Sequence, residues 1–96
     1  MARYTRPAVT RTYEAIQADI SEATAALAAT SAKDGVEFWQ AQADGCARLQ
    51  NLWNEIVWQA VEDNALPHWT RFAAMTTRDH YATQVRDARR AAEDRR

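Results

Sequence analysis

The chain has 96 residues and a formal net charge of −1, so it holds one domain at most and carries no large single-signed charge. Two Gly, two Pro and 21 Ala, with no alternation of β-branched and polar residues over a strand length, argue against a β-sheet and for an all-α fold. Leu, Ile, Val and Phe number only 14, yet four Trp and three Tyr, each able to bury on the order of 150–250 Å², argue against disorder and for a helical protein with a thin core.

The first helix is expected from about residue 7 to 31, with Thr5 as its cap and Pro7 in its permissive first turn. Tyr13, Ile16, Ile20, Ala23, Leu27 and Thr30 follow the 3-4-3-4-3 spacing of a coiled-coil seam. Its back face holds Glu14, Ala15, Ala18, Glu22, Ala25 and Ala29, small residues that favour helix or admit a close neighbour. Lys33-Asp34-Gly35 then forms a connector, with Asp34 and Glu37 at capping-box spacing. A connection this short predicts an antiparallel helical hairpin.

The second helix, about 35–63, carries three of the four Trp. At 100° per residue its apolar positions, from Val36 through Trp39, Leu49, Leu52, Trp53 and Ile56 to Val61, fill an arc of roughly 200°, twice the stripe a surface helix needs. Such a helix has something to bury on two sides. Gln42 and Gln50 interrupt the arc, and a core made by one chain would leave their amides costly to bury. Gly45 on its edge predicts close packing or a mild bend. Trp58 lies outside that arc, about 100° round the wheel from Trp39 and toward the polar face of Arg48, Glu55 and Gln59. Either Trp69 or Phe72 folds back over it, or it stands open as a contact anchor.

Asn64-Ala65-Leu66-Pro67 breaks the chain. Beyond it, Trp69, Phe72, Ala73 and Met75 are out of phase with the later stripe Thr77, Tyr81, Val85, Ala88 and Ala92. The slip falls near Thr76, which has capping-box spacing to Asp79, so a kink or two helices, about 67–75 and 77–94, are expected. The Ala/Arg/Asp-rich end is expected to fray.

Charge is segregated: +3 over residues 1–12, −7 over 13–64 and +3 over 65–96. Opposite signs on neighbouring segments favour antiparallel packing within the chain or between copies. Cys46 is the only cysteine, which excludes an internal disulfide and suggests a reducing, cytoplasmic setting. No run of 18 apolar residues is present to span a membrane, and no apolar stretch of a secretory signal follows the first arginines. Eleven Arg against one Lys, with abundant Ala, suggests a GC-rich genome.

Chemistry-bearing motifs are sparse. His68 and His80 are twelve residues apart and in different phases, without a metal-ligand partner at helical spacing, and no Gly-rich loop is present to cradle phosphate. Cys46 sits mid-arc and reads as a small buried hydrophobe. Asp79 and His80 are adjacent and so do not face each other on a helix. These features argue against an enzyme and imply no cofactor or metal. Arg71, Arg78, Arg86, Arg89, Arg90, Arg95 and Arg96 could contact phosphates, but acids interleave with them and the acidic central helix would repel a duplex.

Residues 31–44 resemble the helix connector of phasins, small helical proteins that coat bacterial polyhydroxyalkanoate granules. The resemblance rests on an Ala-rich helix before a short acidic turn at Asp34, then Glu37, Phe38-Trp39 and Ala41-Gln42. It departs from the phasin pattern at Gly35, where proline is common, and in its four Trp and short length. The resemblance implies amphipathic helices on a hydrophobic polymer and self-association. The residues themselves suit such adsorption and suit a helical dimer equally.

The expectation is an all-α hairpin with a folded-back C-terminal segment, a homodimer or larger assembly without catalysis. Trp39, Leu49, Leu52, Trp53 and Ile56 would make the main contact, with Trp58 and Trp69 as further anchors. The alternatives are a small inhibitor or adaptor, of the kind mobile elements encode, docking on a protein partner through the acidic helix, and an Arg-mediated nucleic-acid binder.

Overall fold

The computed structural model describes residues 6–95. Among these, an arm without regular structure leads into α1 (Tyr13–Ala29), a short 3-10 turn (Thr30–Ala32), α2 (Gly35–Glu62) and α3 (His68–Asp94). The protein is all-α. Residues flanking α1 pair with α2 in the opposite order, from Arg11, just before α1, with Glu55 to Thr30, just after it, with Gln42. Pairs between α2 and the α3 segment do the same, from Asn54 with Arg78 to Trp39 with Arg95, the C-cap of α3. α1 and α2 therefore form the expected antiparallel hairpin, and α3 folds back along α2.

α2 is the centre of the molecule. α1 packs on one flank and α3 on the other, while the backbones of α1 and α3 do not meet. This arrangement answers the wide apolar arc: each half of it has its own helix to cover it. Ile16, Ile20 and Ala23 of α1 meet Leu49, Leu52, Ile56 and Val57 of α2, with Ala74 of α3 closing the cluster. Leu49 and Ile56 are fully buried. The seam read in α1 is the face it buries, and its alanine-rich back faces solvent. Gly45 allows the close approach of the two helices: a Cβ there would stand 2.8 Å from Leu27 Cδ1.

α2 starts at Gly35 as expected, while two helix ends and one cap differ from expectation. α1 starts at Tyr13, six residues later than Pro7, because Thr12 is its cap: the Thr12 hydroxyl accepts from the Ala15 N–H at 3.1 Å. The expected cap, Thr5, lies outside the described residues. At the start of α2, Asp34 occupies the N-cap position but its carboxylate makes no capping hydrogen bond. Gly35 enters the helix at φ 61°, a left-handed angle that suits glycine and departs from capping-box geometry.

The third difference is the largest. α3 is one helix from His68 to Asp94, without a break at Thr76. The Thr76 hydroxyl donates back to the Phe72 carbonyl at 3.1 Å, as a mid-helix threonine does, and caps nothing. The apparent phase slip came from placing Trp69 and Phe72 inward and Arg78 outward. The buried positions are Thr70, Ala74, Arg78, Val85, Ala88 and Ala92, with half-buried Tyr81 between Arg78 and Val85, a single unbroken stripe at helical spacing.

Candidate binding surface

The contact residues expected on α2 belong mostly to the chain's own core. Leu49, Leu52 and Ile56 are buried against α1 and α3 and present nothing to a partner. Two helices of the same chain already fill the arc around these three residues. Trp53 is half-buried and packs on the same cluster. Trp39, also half-buried, stands edge-on to Phe38 with ring centroids 4.9 Å apart and has the Arg95 guanidinium 5.2 Å from its ring centre. Gln42 is satisfied within the chain, donating to the Thr30 hydroxyl at 2.6 Å, which in turn donates to the Leu27 carbonyl at 2.7 Å. Gln50 lines a groove between α2 and α3 of mixed character, with Ala82, Val85, Arg86, Arg89 and Glu93.

The exposed apolar surface lies elsewhere. Among the described residues the large hydrophobic side chains left in water are Trp69 at 62 %, Phe72 at 60 % and Val61 at 37 % exposure. Trp69 and Phe72 are three apart on the first turns of α3 and so are neighbours on its outer face. Val61 lies at the end of α2, across the turn of residues 63–66, where the Asp63 carboxylate accepts from the Ala65 N–H at 2.9 Å. Arg71 flanks the pair, its guanidinium 5.9 Å from the Phe72 ring centre. A rigid helix thus holds two aromatic rings side by side at one end of an elongated molecule of 47 × 30 × 21 Å.

Trp58 is covered, but neither Trp69 nor Phe72 covers it. The N-terminal arm does: the Arg6 guanidinium lies 4.5 Å from the Trp58 ring centre and donates to Glu62 Oε1 at 2.7 Å. Further along the arm, Arg11 donates to Asp19 and, at 2.7 Å, to Glu55 Oε2. These carboxylates, Asp19 foremost, hold the Arg11 guanidinium above its ordinary pKa. The segregated charge is therefore used mainly between the basic arm and the acidic hairpin, with Arg48 and Glu22 adding a looser pair at 3.6 Å. On α3, Arg78 pairs with Asp79 and Arg86 with Asp87, their chain neighbours.

Beneath the arm, Trp58 Nε1 and Gln59 Oε1 are buried without a hydrogen-bond partner among the described residues. A donor or acceptor left so costs about 1–3 kcal/mol. Asn54 and Arg78, by contrast, form a buried polar pair between α2 and α3, Nη1 donating to Oδ1 at 3.0 Å. Neither pairing was read from sequence. The signal for the second is the unbroken stripe through position 78; that for the first is an acid-free basic segment preceding an acidic helix.

Burial pushes the Cys46 thiol up from its ordinary pKa, away from the reactive thiolate. His68 and His80 are exposed on α3. No group of three or more metal-ligating side chains occurs among the described residues, and no described helix is long and apolar enough to cross a membrane. No family model, curated protein or solved structure matches the chain.

Proposed function

We propose that the chain is a non-catalytic helical binding protein that associates with copies of itself, and with an apolar surface, through the outer face of α3. The observation that carries this reading is the pair of exposed rings, Trp69 and Phe72, on adjacent positions of a rigid helix. Isolated exposed apolar residues are ordinary, whereas aromatic neighbours are typical of contact anchors. Covering about 60 % of a ring's roughly 200 Å² at about 25 cal/mol per Å² returns about 3 kcal/mol. Two rings from each of two copies give roughly 12 kcal/mol, against an association cost of about 4–15 kcal/mol. The balance favours a weak, reversible assembly, which suits a coating or scaffold role of the phasin kind.

The test has two arms. Light scattering over a concentration series is expected to show a mass that rises with concentration, and addition of apolar polymer particles is expected to shift Trp fluorescence to the blue. Trp69→Ser with Phe72→Ser should abolish both while leaving the helical circular dichroism intact. A concentration-independent monomer that ignores the particles would sink the reading.

A further inference from the structure

We infer that Glu55, Trp58, Gln59 and Glu62 form a recognition site on α2 for an extended, arginine-bearing peptide segment, occupied in this structure by the chain's own arm. Each element of such a site is present. The Trp58 ring offers its face to a guanidinium, and Arg6 takes it at 4.5 Å. Glu62 accepts from the same guanidinium at 2.7 Å, while Glu55, two helical turns back, accepts from Arg11 at 2.7 Å. The intervening Pro7, Ala8, Val9 and Thr10 run without regular structure over a small pocket shared with Ile16 and Gln59. The ligand chemistry is therefore two arginines five residues apart on a non-helical segment.

Two further observations separate a recognition site from a fixed part of the core. The pair that anchors the outer end of the arm is exposed, 54 % at Arg6 and 45 % at Glu62, and exposed pairs hold weakly. Within the site, Trp58 Nε1 and Gln59 Oε1 are also buried with no hydrogen-bond partner among the described residues. A segment seated slightly differently can give the indole N–H a peptide carbonyl and the amide oxygen a peptide N–H. The arm is thus an imperfect occupant, held by its tether, and a free segment of the same chemistry competes with it. Tethering supplies an effective concentration in the millimolar range, which sets how strongly the arm excludes a competitor.

The experiment uses the full chain and a fluorescently labelled synthetic peptide of residues 6–12. Anisotropy titrations compare the wild type with Arg6→Ala/Arg11→Ala. The arm variant is expected to bind the peptide at least tenfold more tightly, and the peptide with both arginines replaced by alanine should not bind. Adding Trp58→Ala to the arm variant should weaken binding at least tenfold. Glu62→Gln, at an exposed position that leaves the core untouched, should weaken it severalfold even if the Trp58 variant folds poorly. Equal affinity in wild type and arm variant, or binding indifferent to Glu62→Gln, overturns the inference. Trp69→Ser should leave peptide binding unchanged, so the outcome is independent of self-association through α3.

Discussion

Arg78 is a charged residue on the buried face of α3, and Asn54 of α2 faces it. Removing Asn54 takes one buried hydrogen bond from the Arg78 guanidinium, which keeps its bond to Asp79, and a hydrogen bond to a charged group is worth more than a neutral one. Asn54→Ala is therefore expected to lower stability by about 1.5–3 kcal/mol, and each kcal/mol shifts the melting temperature of a domain this size by about 4–8 °C. Calorimetric scans of Asn54→Ala against the wild type read this loss directly. Cys46 gives a second residue-scale expectation. Its folded pKa is raised by burial, so its contribution to stability is complete below the ordinary thiol pKa of 9.0 and is lost as pH rises beyond it. The unfolding free energy of the wild type, measured relative to Cys46→Ala, should be flat up to about pH 8 and decline above pH 9. A difference that stays flat to pH 11 would mean the thiol is freely hydrated.

At the scale of elements, two threonines respond oppositely to the same change. Thr12 caps α1 and Thr76 sits on the exposed face inside α3. Thr12→Ala should destabilise by about 0.5–2 kcal/mol. Thr76→Ala should be neutral or stabilising by up to about 0.7 kcal/mol, since alanine is the better interior helix former. Denaturant melts of the two variants read this sign directly; a loss at position 76 comparable to that at 12 would point to a second helix start. The same pair shows what the sequence made legible. α2 and the seam of α1 could be read because apolar periodicity over many residues reports which faces are buried. The start of α1 could not, since Pro7 and Thr12 both offer permissible starts and the choice depends on where Arg6 and Arg11 find their carboxylates. α3 was read in two phases because a buried arginine and two exposed aromatics reverse the usual assignment, and each reversal rests on a tertiary partner or on the lack of one. A binding surface is hard to place from the sequence for the same cause: width of an apolar arc does not tell whether the chain's own helices cover it.

For the whole molecule, the central question is whether a thin core suffices alone. α2 is covered on two flanks, yet the molecule extends to 47 Å and leaves two aromatic rings in water at one end. If those rings associate, the assembled state stabilises the fold by mass action, and the melting temperature depends on concentration. Free protein at one hundred times the dissociation constant adds about 2.7 kcal/mol, which for a domain of this size is a shift of about 10–20 °C. Thermal melts from about 1 to several hundred micromolar, spanning the weak affinity the area estimate implies, should therefore move upward for the wild type. Trp69→Ser/Phe72→Ser should melt at one temperature throughout, near the dilute wild-type value, because neither side chain supports the monomer core. A wild type that melts independently of concentration would show the monomer to be sufficient, and would leave the exposed rings to an apolar surface rather than to a second copy.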